Sequence, residues 1–251
     1  MEKANFKQQM IDIAKKFKWY EVLYLTLGLI AVVALSIIAK SSAITISYSI
    51  FGVLYVGAIA KQLKIGLIFG LLQATLYIVQ SALYNNWGEF ILNIAIVLPL
   101  IVLSIVGWFR KSSGVTVTSK KLSRNEWIIF TIINLAVSIA FYFVLALFDT
   151  PNLLLASISA FFTILAHYLM VRKSPFMFVG FIGVNITTFL IWLLPIIEVQ
   201  ALNFETVPML ATIVVYLISN IFGAINWFKD ASKKQKEQES QTENLTDMQD
   251  K

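Results

Sequence analysis

The sequence predicts an all-α polytopic membrane protein of about eight transmembrane helices, arranged as two parallel-oriented three-helix bundles plus a leading helix and a linker helix. Three observations carry that expectation. Of 251 residues, 58% are hydrophobic and 14% charged, with a mean hydropathy of +0.77, whereas a soluble domain carries about 25% charge. Apolar runs recur down the whole chain, each near the roughly 20 residues that cross a bilayer core. The chain also repeats itself.

Taken in order, residues 1–18 form a charged, amphipathic segment without the short apolar core of a signal peptide. A leading helix follows in 19–43, its span Trp19–Ile38. The first bundle, 44–111, holds the spans Ile44–Ala60, Ile65–Gln80 and Phe90–Phe109. A basic loop and the linker helix fill 112–151, with the span Trp127–Phe148. The second bundle, 152–228, holds Asn152–Val171, Phe176–Leu194 and Pro208–Trp227, and 229–251 is expected to be a disordered tail because it has almost nothing to bury. Pro151, Pro175, Pro195 and Pro208 fall at span ends, where a missing N–H is tolerated. Pro99 alone lies inside a span and should kink it.

Charge sets the orientation. The N-terminal segment, the 61–64 turn, the 110–126 loop, Arg172-Lys173 and the tail hold nineteen of the twenty Lys and Arg residues. Lys40 alone lies on the other side, with Glu89, Asp149, Glu198 and Glu205. Basic loops stay cytoplasmic, so both termini are expected inside the cell membrane. The net charge of +6 is thereby read as topology, and no nucleic-acid partner is expected.

Sliding the chain by 112 positions pairs Ser47 with Ser159, Tyr55 with His167, Lys61 with Lys173 and Gln73 with Asn185, and GWFRK at Gly107–Lys111 returns as NWFKD at Asn226–Asp230. Repeats separated by an even number of crossings share one orientation, so they predict a pseudo-two-fold axis along the membrane normal. Substrates of such proteins bind near the midplane between the bundles.

The seventh span carries a polar stripe. Phe178, Phe181, Asn185, Thr188 and Trp192 recur at steps of three and four, one face of a helix. The third span answers with Gln73, Tyr77 and Gln80, the fourth with Asn93, and the eighth with Tyr216 and Asn220. Large amides are expensive inside a membrane unless something satisfies them. These residues are therefore read as lining a substrate site. Ser104, Ser219, Trp108 and Trp227 are read as helix packing, and His167 as structural.

Other chemistries find little support. The chain has no Cys and one His, so no metal site and no cofactor is expected. A Walker-type phosphate loop is absent. The spans are read as free of interior Asp, Glu, Lys and Arg, which argues against a proton relay and for uncoupled movement. The glycosylation-like triplets at Asn185 and Asn244 fall in a span and in the tail. A lipid-modifying enzyme would have only His167 to work with, and a purely structural subunit would use the polar stripe as helix glue.

Two segments resemble the PnuC family of vitamin and nucleoside transporters. One is SAFFTILAHYLMVRK, Ser159–Lys173. The other is the position of a W-x-x-W-x-x-x-[D/N] motif, filled here by Phe178, Phe181 and Asn185. The first half is similar through LLQATLYIVQSALY, ILNIAIVLPL and the closing Gly107-Trp108. The resemblance implies uptake of nicotinamide riboside by facilitated diffusion, trapping by a cytoplasmic kinase, and a homotrimer. It places Asn185 on the substrate. The two phenylalanines stand where the family has tryptophans, and phenylalanine is the weaker cation–π partner. A deoxynucleoside, thiamine or riboflavin uniporter therefore stays open, as does a sugar uniporter with a similar core.

Overall fold

The computed structural model describes residues 11, 13–83, 86–110, 114–150, 152–199 and 206–249. Most of the N-terminal segment 1–18, Pro151 and residues 200–205 lie outside them. The helices are α1 (Trp19–Ile38), α2 (Ala43–Ala60), α3 (Ile65–Leu83), α4 (Trp87–Leu92), a π segment (Asn93–Val97), α5 (Leu98–Phe109), α6 (Arg124–Leu147), α7 (Leu153–Val171), α8 (Met177–Val199) and α9 (Thr206–Gln249). Among the described residues, eight of these runs are long and apolar enough to cross a membrane, α4 through α5 counting as one.

Local chemistry fixes the ends. Ser42 starts α2 by accepting the Thr45 N–H at 3.2 Å. At α6, Ser123 Oγ accepts the Glu126 N–H at 3.2 Å while Glu126 Oε2 accepts the Ser123 N–H at 3.0 Å, a reciprocal cap that starts the helix before Trp127. The kink expected at Pro99 takes the form of the π segment: the Leu98 N–H bonds Asn93 O, five residues back, just ahead of the proline. The tail departs from expectation. Residues 229–249 continue α9, since Lys, Gln and Glu are good helix formers and extend a helix already nucleated in the membrane span.

The duplication is visible in backbone geometry. α2 and α7 end in the same turn, with Gln62 and Lys173 in the left-handed region at φ 60 and 59. The Leu63 N–H bonds Ala58 O at 3.0 Å, and the Ser174 N–H bonds Leu169 O at 2.9 Å. Gln62 therefore matches Lys173, and the register at this turn is one residue shorter than the sequence pairing of Lys61 with Lys173. Packing follows the same symmetry. The first helix of each half meets the last helix of the other, α2 against α9 and α7 against α5.

The leading and linker helices are also counterparts rather than unrelated extras. Glu21, in the first turn of α1, pairs with Lys61 at the end of α2. Glu126, in the first turn of α6, pairs with Arg172 at the end of α7. Each half is then four helices, and four crossings keep the halves parallel. Their environments differ: Glu21 is 2% exposed, whereas Glu126 and Arg172 are solvent-accessible.

The segment 114–123 straps the basic end. The Val117 N–H donates to Gln62 O and the Lys120 N–H to Lys173 O, both at 2.9 Å. One loop thus satisfies the equivalent carbonyl of both turns.

Candidate functional site

Between the halves lies a cavity of about 220 Å³, lined from α2, α3, α4, the π segment, α5, α7, α8 and α9. Most of the stripe on α8 opens into it. Phe181, Asn185, Thr188 and Trp192 line the wall at a helical step that keeps them on one face. Gln73 and Tyr77 join from α3, Asn93 from the π segment, and Tyr216 and Asn220 from α9.

Two expected residues lie elsewhere. Phe178, one turn nearer the basic end, is fully buried outside the lining. Its ring packs edge-on against Trp227 at 5.9 Å and fills the space left by Gly223, where a Cβ would stand 2.3 Å from Cε1. Gln80 lies toward the opposite end and lines a second cavity of about 190 Å³ with Lys40, Ser41 and Ser42. Trp192 and Met209 belong to both linings and so stand between the two spaces.

Polar groups in the main cavity are held from behind. Gln73 Nε2 donates to Tyr216 Oη at 3.3 Å. Tyr216 reaches this position because Gly52 has no side chain: a Cβ there would fall 1.5 Å from the hydroxyl. Tyr48 stacks on Tyr77 at 5.2 Å. Asn185 is different, for its Nδ2 is buried without a hydrogen-bond partner among the described residues. A buried amide N–H left unmade is costly, so such an atom in a cavity wall is a vacancy for an acceptor.

Sequence reading missed Tyr48, Tyr55, Glu89, Ser159, Thr163 and His167, all in the lining. Ser159, Thr163 and His167 recur every four residues on α7, and the repeat pairing of Tyr55 with His167 was the signal that could have found them. His167 Nδ1 meets Thr163 O at 2.8 Å. A carbonyl only accepts, so Nδ1 carries the proton and Nε2 remains an acceptor. Its ring also meets Phe181 edge-on at 5.3 Å, so the histidine is part of the cavity wall rather than merely structural.

The expectation of charge-free spans also needs correction. Glu21 lies within α1, neutralised by Lys61. Glu89 was placed in an outer loop, but Asn86 caps α4 early enough to put Glu89 inside the helix and in the cavity wall. By contrast, the hydroxyls of Thr212, Ser219 and Ser104 bond carbonyls of their own helices at 2.8 Å, as packing residues do.

The cavity between the parallel halves is thus rich in aromatic and amide side chains that offer both hydrogen-bond donors and acceptors. Among known proteins, the nicotinamide mononucleotide transporter family matches residues 42–229. The nicotinamide riboside transporter PnuC of Neisseria mucosa is 26% identical over 188 residues, 72% of this chain and 70% of that protein. Its namesake from Haemophilus influenzae is 23% identical over 233 residues, 90% of this chain and 96% of that one. The crystal structure of the vitamin B3 transporter PnuC shares the fold with a TM-score of 0.72 at 21% identity, covering 86% of this chain and 94% of the other.

Proposed function

The chain belongs to the nicotinamide mononucleotide transporter family, and from that premise we propose that it takes up nicotinamide riboside by facilitated diffusion. The family is one of membrane transporters, not enzymes. The observation that carries the reading is the unpartnered Asn185 Nδ2 in a cavity shared with Gln73, Tyr216 and Asn220. Amide and hydroxyl groups suit a carboxamide and a ribose, while Phe181, Tyr48 and Tyr77 add aromatic rings to the lining.

The mechanism is movement down a gradient. The Glu21–Lys61 pair is internally neutral, and the other acid within the spans, Glu89, belongs to no cluster of metal-ligating side chains among the described residues that could hold a coupling ion. Both termini face the cytoplasm, since the basic residues gather at the end where α2 and α7 finish. A cytoplasmic kinase that phosphorylates the riboside would trap it, and the protein works as a homotrimer.

Proteoliposomes test this. Labelled nicotinamide riboside should equilibrate across the bilayer without concentrating, and neither a pH nor a sodium gradient should move the end point. A kinase and ATP sealed inside should convert equilibration into accumulation. Uptake no faster than in empty liposomes would refute the substrate, and gradient-driven accumulation would refute the mechanism.

A further inference from the structure

Three helices of this chain have an acidic residue three positions after the cap, and only two use it there. Lys18 and Ser123 each return a backbone N–H to the carboxylate of Glu21 or Glu126. At α4 the return position is occupied, because the Asn86 N–H already donates to Ser81 O at 2.8 Å. The Glu89 carboxylate turns elsewhere. Its Oε2 accepts from Asn93 Nδ2 at 3.3 Å, and Asn93 is anchored by a second bond to Glu89 O at 2.8 Å. The residue that would ordinarily finish a helix cap is thus held against the cavity wall.

Its surroundings lack a counter-charge. Among the described residues, no Lys or Arg lines the cavity, and Glu89 takes part in no ion pair. Glu21 and Glu126, the other two helix-start acids, both have one. Glu89 is partly buried. A carboxylate drawn away from bulk water without a cation is unfavourable, which hydrogen bonds from Asn93 and Tyr77 and the helix-end dipole offset only in part. Phe181 faces the same space with a π surface weaker than an indole.

We infer that Glu89 is a specificity-determining residue that supplies the counter-charge for a cationic, pyridinium-type nucleoside. The inference rests on the proposed substrate class and deepens it. It also accounts for a cation site built without the two tryptophans: ion pairing from α4 replaces part of the cation–π attraction from α8. A neutral nucleoside would leave the carboxylate uncompensated, so the cavity discriminates by charge as well as by shape.

Nicotinamide riboside and its reduced, neutral dihydro form are nearly the same size and differ in charge, which makes them the probes. Binding of both to the purified full chain is measured by calorimetry for the native protein, Glu89→Gln and Glu89→Asp. Native protein should prefer the cation by about tenfold or more. Glu89→Gln should weaken the cation by a similar factor and change the neutral form by less than about threefold. Glu89→Asp, which keeps the charge, should keep the preference even if the Gln variant fails to fold. Equal native affinity for the two forms, or equal loss of both in Glu89→Gln, overturns the inference while leaving the substrate reading intact. Native protein that binds neither form overturns the substrate reading and this inference with it.

Discussion

Trp108 and Trp227 meet 5.9 Å apart between the two halves, and each donates its indole N–H across to the other half, Trp108 to α7 and Trp227 to α2. Trp108 Nε1 bonds Met170 O at 3.0 Å, and Trp227 Nε1 bonds Ile59 O at 2.8 Å. Both rings are fully buried, and both acceptors are last-turn carbonyls that each also accept a backbone N–H, Met170 O from Lys173 and Ile59 O from Gln62. The pair is a two-fold clasp at the basic end of the cavity.

Replacing either indole by phenylalanine keeps a ring but removes one of the two hydrogen bonds to a last-turn carbonyl. Trp108→Phe and Trp227→Phe should each lower stability by about 0.5–1.5 kcal/mol. Thermal unfolding of purified protein in detergent checks this. Because the rings touch, the double variant should depart from additivity. Additive losses would mean that the two bonds do not act as one clasp.

Asn185→Ala should separate binding from folding. Among the described residues Nδ2 has no partner to lose, so the melting temperature of ligand-free protein should barely move. Affinity for nicotinamide riboside should fall by about 1–3 kcal/mol, roughly 5- to 150-fold. A lower melting temperature with unchanged affinity would assign Asn185 to helix packing.

Gly52→Ala adds one methyl group where only the Tyr216 hydroxyl has room. The tyrosine must leave and its bond from Gln73 must break, although alanine suits the helix better by about 0.8–1.0 kcal/mol. Binding should weaken at least about fivefold with little loss of fold. Tyr216→Phe in the Gly52→Ala background should restore part of the fit, and calorimetry on both variants tests it.

The two tryptophan-replacing phenylalanines should respond in opposite ways. Phe181→Trp enlarges a ring facing the cavity and should tighten binding of the cationic riboside by about 0.5–2 kcal/mol. Phe178→Trp overfills a site closed by Trp227 and Gly223 and should destabilise the protein by about 1–3 kcal/mol. Equal behaviour of the two variants would contradict their placement.

The equivalent ion pairs should differ in strength. Glu21→Gln leaves the largely buried Lys61 side chain without its counter-ion and should lower stability by at least about 1 kcal/mol. Glu126→Gln removes an exposed pair and should leave the melting temperature nearly unchanged. Thermal unfolding at low and high salt distinguishes them, the exposed pair alone weakening with ionic strength.

What the sequence determined by itself was the membrane class, the eight crossings, the family resemblance and most of the cavity's amide and aromatic lining. Those properties are written in runs of apolar residues and in helical spacing, which need only one element to be read. Phe181, Asn185, Thr188 and Trp192 were legible because they share a face of α8. Tertiary structure decided the rest. Phe178 obeys the same spacing but lies one turn deeper, where Gly223 and Trp227 close around it. Glu89 reads as a loop acid until Asn86 caps α4 and Ser81 takes the N–H that would have drawn the carboxylate back. The kinship of α1 with α6 emerges only from two ion pairs that join residues 40 and 46 positions apart. Spacing along one helix says which side chains share a face, but only the neighbouring helices decide whether that face meets a cavity, a ring or a charge.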